Sequence, residues 1–156
     1  MEKFMENIQE AERIIRTADH MAYVTYSLIK DKRILLKIIT ETKNAVALCI
    51  NSILQYEYLY KRIQLYPNPK SNLETFMSKS AKRYNINNQE LKKILDLFEI
   101  AEKHKQSSME FIKNGKIIIL SENLNHIEIS IEKTKEFLAL SKDILKKTKE
   151  NLLRKV

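Results

Sequence analysis

Ala45-Val46-Ala47-Leu48-Cys49-Ile50-Asn51-Ser52-Ile53-Leu54 is the stretch that decides the fold. Wound as a helix it is apolar on nearly every side, and such a helix must be enclosed by others. Its longest unbroken apolar run, Ala45–Ile50, is far short of the roughly 18 residues that read as a membrane span. The expectation is therefore the central helix of a bundle. It extends from about Lys32 to Leu65, with Asp31 as its N-cap. Tyr66-Pro67-Asn68-Pro69 stops it, because proline excludes the preceding residue from the α region and has no N–H to donate.

The flanking segments show the 3.6-residue period of amphipathic helices. Phe4, Ile8, Ala11, Ile15, Ala18, Ala22 and Ile29 step by three, four or seven, with Ile14, Met21 and Leu28 beside them. This predicts a first helix over about Glu2–Ile29. Ser71-Asn72-Leu73-Glu74 reads as a capping box for a third helix ending near Tyr84. Asn87 and Glu90 open a fourth, to about Lys105, whose inner face is Leu91, Ile94, Leu95, Phe98 and Ala101. The last runs from Ser130 to about Arg154 on Ile131, Leu138, Leu145 and Leu152, with Phe137 and Ile144 alongside. The fold class is mainly α: an up-and-down bundle of about five long helices, forming one domain over 1–156.

One glycine and two prolines leave little turn chemistry for an all-β fold. Ser107 and Glu110 predict a further short helix, closed by Gly115 as its C-cap. Lys116–Leu120, Lys-Ile-Ile-Ile-Leu, is the strand-like run, and His126–Ser130 alternates polar and apolar. A small two-stranded ribbon over 116–130 follows. Two strands alone are marginal, so the ribbon must lean on the bundle or pair with another chain.

Cys49 is the only cysteine. It lies in the apolar run, so a buried, inert thiol is expected, in keeping with a reducing compartment. Glu2, Glu6 and Glu10 stand where a signal peptide would be basic and then apolar. A cytoplasmic protein with no membrane segment is the expectation. The formal charge of +8 favours a polyanionic partner such as RNA, another nucleic acid or an acidic protein. No cysteine–histidine zinc pattern exists, a single glycine cannot build a phosphate-cradling loop, and no cofactor or metal is implied.

Four constellations could carry function. Arg13, Arg16, His20 and Tyr23 share one stripe of the first helix. Arginines beside an imidazole suit phosphate binding and proton transfer, so Arg13, Arg16 and His20 are the candidate catalytic residues. A polar line on the second helix, Glu41, Asn44, Asn51, Gln55, Tyr58 and Arg62, could form a seam meeting the Arg16/His20 stripe across a cleft; Tyr23, Asn44, Asn51 and Gln55 are its key members. Ala81, Tyr84, Ile86, Leu91 and Ile94 fall at offsets like those of a helix-turn-helix, which would put Lys92 and Lys93 near nucleic acid. The C-terminal helix carries Lys142, Lys146, Lys147 and Lys149, then Arg154 and Lys155, against Asp143 and Glu150. Six cations over two acids supply half of the net charge. Either they offset the helix dipole, or Lys146, Lys147 and Lys149 bind phosphates.

Over roughly residues 4–105 the helix order and amphipathic pattern resemble HEPN-type proteins, small helical bundles of prokaryotic defence and toxin–antitoxin systems. Active members carry an arginine, four to six residues, then a histidine, usually late in the bundle; here the match is Arg13 to His20, in the first helix. The resemblance implies a metal-independent ribonuclease. The chain also resembles small archaeal helical proteins, which implies no activity. The leading expectation is a helical binding or adaptor protein, a homodimer contacting RNA or another polyanion. Ribonuclease and helix-turn-helix regulator are the alternatives.

Overall fold

The computed structural model describes residues 3–106, 109–120 and 126–153. Among them five helical segments and one small sheet make a mainly α fold. Helix α1 (Lys3–His20) continues through a π turn (Met21–Thr25) into α2 (Tyr26–Ile29). Helix α3 (Arg33–Leu59) is central; α1, α5 and α6 all pack on it. Helix α4 (Pro69–Thr75) runs on through a π turn (Phe76–Ser80) and a 3-10 turn (Ala81–Tyr84). Helices α5 (Asn88–Gln106) and α6 (Ile131–Leu153) complete the bundle.

The enclosure expected of the apolar stretch is observed. Ala45, Val46, Cys49 and Ile53 are wholly buried, as are Leu35, Ile38 and Ile39 about two to three turns before Ala45. Helix α1 runs antiparallel to both α3 and α6, which leaves α3 and α6 parallel, and α5 runs antiparallel to α6. The Ser52 hydroxyl near the end of α3 donates to the Phe4 carbonyl at the start of α1, at 2.9 Å. Lys149–Glu12 and Lys142–Asp19 join α6 to α1 in the opposite order. Lys133–Asp96, Lys93–Glu136 and Lys147–Glu90 do the same between α6 and α5.

Several boundaries move for local reasons. Helix α3 ends at Leu59, six residues before the expected stop. Lys61 takes φ +59, the Lys61 N–H donates to the Tyr58 carbonyl and the Arg62 N–H to the Glu57 carbonyl. That is a Schellman closure made without glycine. The third helical segment begins at Pro69 and not at the Ser71 box. Proline suits the first helical position, and the Asn68 side chain caps it by accepting from the Lys70 N–H at 2.9 Å. The Asn87/Glu90 capping box forms in both directions, at 2.8 and 3.1 Å. Asp31 caps α3 by accepting from the Arg33 N–H at 3.0 Å.

The short helix expected before Gly115 is instead a strand. Strands β1 (Met109–Lys113), β2 (Lys116–Leu120) and β3 (His126–Ile129) form an antiparallel sheet in the order β1-β2-β3, three strands where two were expected. Asn114 and Gly115 both take positive φ, which makes a two-residue primed turn and not a helix cap. Ser107, proposed to open that helix, lies outside the described residues. Ile117, Ile119 and Ile129 seal one sheet face into the common core. Three expected inward residues point out: Leu28, Ile29 and Leu95 are exposed, and Leu97 and Ile100 take the core side of α5.

Thr42 is fully buried in α3, and its hydroxyl has no hydrogen-bond partner among the described residues. A buried hydroxyl without a partner costs about 1–3 kcal/mol. Thr42→Val, which keeps the branching and removes the hydroxyl, is expected to raise stability by about 1 kcal/mol in thermal unfolding. A loss of stability would mean that the hydroxyl is bonded in solution.

Candidate functional site

The α1 stripe does not face a cleft with α3. Arg13, Arg16 and His20 are exposed. Arg13 is bound to Glu10 one turn earlier, with Nε–Oε2 at 3.0 Å and Nη2–Oε1 at 2.5 Å. The Tyr23 ring leans toward α6, where Lys135 and Lys142 lie 4.8 and 5.6 Å from its centroid. The stripe is a ridge whose two ends are engaged elsewhere.

The polar seam of α3 divides. Gln55 turns to α1 and accepts from Asn7 Nδ2 at 3.4 Å. Asn44 and Asn51 turn the other way and line a groove between α3 and α5. The seam therefore borders a cleft, as the spacing suggested, but the opposite wall is α5. This corrects the expected meeting with Arg16 and His20.

The groove has two sections that share Lys43 and Glu102. The larger, about 930 Å³, has Ile50, Leu54, Leu73 and Phe98 as apolar lining, with Asn51, Lys43 and Lys70 around them. The smaller, about 350 Å³, is lined by Thr40, Asn44, Ala101, His104 and Lys105 besides the shared pair. Local chemistry fixes the walls. The Asn72 amide donates to the Tyr66 carbonyl and accepts from the Tyr66 N–H, both at 2.8 Å, which pins the loop entering α4 beside the groove. His104 Nδ1 lies 2.5 Å from Glu110 Oε1 on β1. An ionised carboxylate only accepts, so Nδ1 carries the proton and Nε2 is left for another partner. Glu102 accepts from Gln106 at 2.6 Å and is, among the described residues, the one acid lining the groove. Lysines, amides and an apolar floor can hold anionic groups and flat rings side by side. Among the described residues no three His, Cys, Asp or Glu side chains gather as a metal site.

The helix-turn-helix offsets are those of a packed corner. Ala81, Tyr84, Ile86, Leu91 and Ile94 are all buried, and Asn85 supplies the left-handed turn residue at φ +59. Lys92 and Lys93 are exposed on the first turns of α5, but Asp96 and Glu99 are exposed on the same helix, and Lys93 pairs with Glu136 at 3.6 Å. On α6, Lys147 bonds Glu90 at 2.6 Å and Asp143 at 3.2 Å, and Lys149 bonds Glu12 at 3.2 Å. These lysines clamp α6 to its neighbours. Lys146 is exposed.

Sequence reasoning missed Lys43, Lys70, His104 and Lys105 as a group. They come from three elements, α3, α4 and α5, and only the packing of these brings them together. It also missed Glu57, which is wholly buried and receives Arg62 Nη1 at 2.9 Å and Arg83 Nη1. No family model matches this chain, and no curated protein matches it. No helix among the described residues is long and apolar enough to cross a membrane.

Proposed function

We propose that the chain is a binding module for single-stranded nucleic acid, RNA foremost, which it holds along the α3–α5 groove. The observation that carries this reading is the composition of that groove: Lys43, Lys70 and Lys105 beside Phe98, Leu73 and Leu54, with Asn44 and Asn51 between. Phosphates need cations, unstacked bases need apolar or aromatic surface, and base edges need amide donors and acceptors. The net charge of +8 adds long-range attraction. Glu102 opposes it locally.

The test is fluorescence anisotropy with a short labelled oligouridylate at several salt concentrations. Three phosphate contacts predict a log–log salt slope near −2, at about −0.7 per contact for a single strand. Lys43→Ala, Lys70→Ala and Lys105→Ala should each flatten it by about 0.7. Glu102→Gln should tighten binding severalfold, because it removes a like charge without removing a side chain. Lys146→Ala on α6 should leave the slope unchanged. A slope near zero, or equal losses from Lys146→Ala and the groove variants, would overturn the reading. A second reading, duplex DNA at the α4–α5 corner, rests on the burial of all five turn residues; it requires Lys92→Ala to weaken duplex binding while the groove variants do not.

A further inference from the structure

We propose that two copies of this chain join through the β1 edge, forming one continuous six-stranded antiparallel sheet with a two-fold axis at Phe111. The reading is independent of the groove and its ligand.

The argument begins with the hairpin. Lys113 pairs with Lys116 across a turn of only Asn114 and Gly115, at φ +53 and +75. In a two-residue primed hairpin the closing pair exchanges both backbone hydrogen bonds, and the bonded pairs alternate from there. Lys113, Phe111 and Met109 therefore bond inward to β2. Glu110 and Ile112 present their N–H and C=O groups outward. β1 is an edge of the sheet, and among the described residues no other backbone bonds those groups. It lacks proline, and two of its apolar residues are uncovered: Phe111 is 39% exposed and Ile112 59%. An open strand of this kind is a template for another strand.

The outward groups admit a second copy of the same strand. They sit at 110 and 112, symmetric about 111. A second β1 laid antiparallel about that residue pairs Glu110 with Ile112 of the second copy, and Ile112 with its Glu110. That closes four backbone hydrogen bonds with no residue out of register. Because side chains alternate between faces, the axis must pass through a residue and not between two; the 110/112 pattern satisfies this. Phe111 then opposes Phe111 of the second copy as a non-hydrogen-bonded pair, the closer of the two antiparallel spacings. Both rings lie on the outer face beside Ile118, which pairs with Phe111 within each hairpin. Charge permits the approach. Glu110 is already engaged by His104 at 2.5 Å. Lys113 sits two residues from the axis, so the two Lys113 side chains lie four residues, or about 13 Å, apart.

Sedimentation equilibrium of the full chain should give a dimer, and the variants locate it. Ile112→Pro removes only an outward N–H, the one place in a sheet where proline is tolerated; it should weaken dimerisation by at least tenfold while circular dichroism stays unchanged. Phe111→Cys should form a disulfide-linked dimer on mild oxidation, since the close pair spacing of about 4.5 Å between Cα atoms lies in the disulfide range. Ile112→Cys should not, because it opposes Glu110. A wild type that stays monomeric up to about 100 µM overturns the proposal, as does a dimer equally strong in Ile112→Pro. If Ile112→Pro also perturbs the fold, the two cysteine variants decide alone: equal cross-linking, or none, rejects the two-fold at Phe111.

Discussion

Replacing Glu57 by alanine is expected to destabilise the fold by about 3 kcal/mol, the lower end of the range for breaking a buried ion pair. The side chain is fully buried at the last turn of α3. One carboxylate oxygen takes Arg62 from the turn that closes the helix, and the other takes Arg83 from the 3-10 turn, 26 residues on. The Arg62 guanidinium also lies 5.9 Å from the centroids of both Tyr56 and Tyr60. Burial and the nearby Glu57 charge together raise the Tyr84 phenol above its ordinary range, burial being the larger cause. Glu57 thus ties the end of α3 to the corner that launches α5. The low end of the range applies because the arginines are 38 and 39% exposed and can turn to water once the carboxylate is gone. The reverse experiment sharpens the claim. Removing both arginines strands a buried carboxylate, which has no such escape, so Arg62→Ala with Arg83→Ala should destabilise more than Glu57→Ala does. Urea denaturation of the two variants measures both losses. A loss below about 1 kcal/mol for Glu57→Ala would reduce the cluster to an ordinary surface pair.

Glu57 also marks where sequence reasoning stops. The helices were legible because their signals are local: a 3.6-residue period, an Asn87/Glu90 box, a proline pair. The role of Glu57 depends on Arg83, and nothing within a turn of either residue announces the other. Asn44 and Asn51 were legible as a helical polar line for the same local reason. Their cleft was assigned the wrong wall, because the choice of neighbouring helix is set by packing. The β1 strand is a different failure. Ser107 and Glu110 ahead of Gly115 read as a short helix with a C-cap, while Asn114-Gly115 between two apolar runs is a strong hairpin signal. Two local codes competed, and the available partner at 116–120 decided between them. Leu28 and Ile29 had the right period for burial but stand at the exposed end of α2, while Leu95 lies mid-helix, where Ile94 and Leu97 on either side of it take the core face.

The thiol of Cys49 is expected to be almost inert in the native protein and to become fully reactive only on global unfolding. Cys49 is wholly buried between α3 and α6, and burial pushes its thiol up to about 12, with the Thr148 hydroxyl pulling modestly the other way. At pH 8 an ordinary cysteine is about one-quarter thiolate, whereas a thiol at about 12 is about one part in 10,000. Thiolate supply alone therefore slows reaction by about three orders of magnitude. Steric exclusion multiplies the effect, since the surrounding Ala45, Val46 and Ile53 are also closed to solvent. Labelling by an aromatic disulfide should then follow the population of the open state. Its rate should rise with denaturant along the slope found for global unfolding. Glu57→Ala supplies the internal check. If the thiol responds to global opening, a variant less stable by about 3 kcal/mol should label about 150-fold faster, at 1.4 kcal/mol per tenfold. A rate unaffected by that substitution would mean that α6 lifts from α3 by a local motion, with the rest of the bundle still folded.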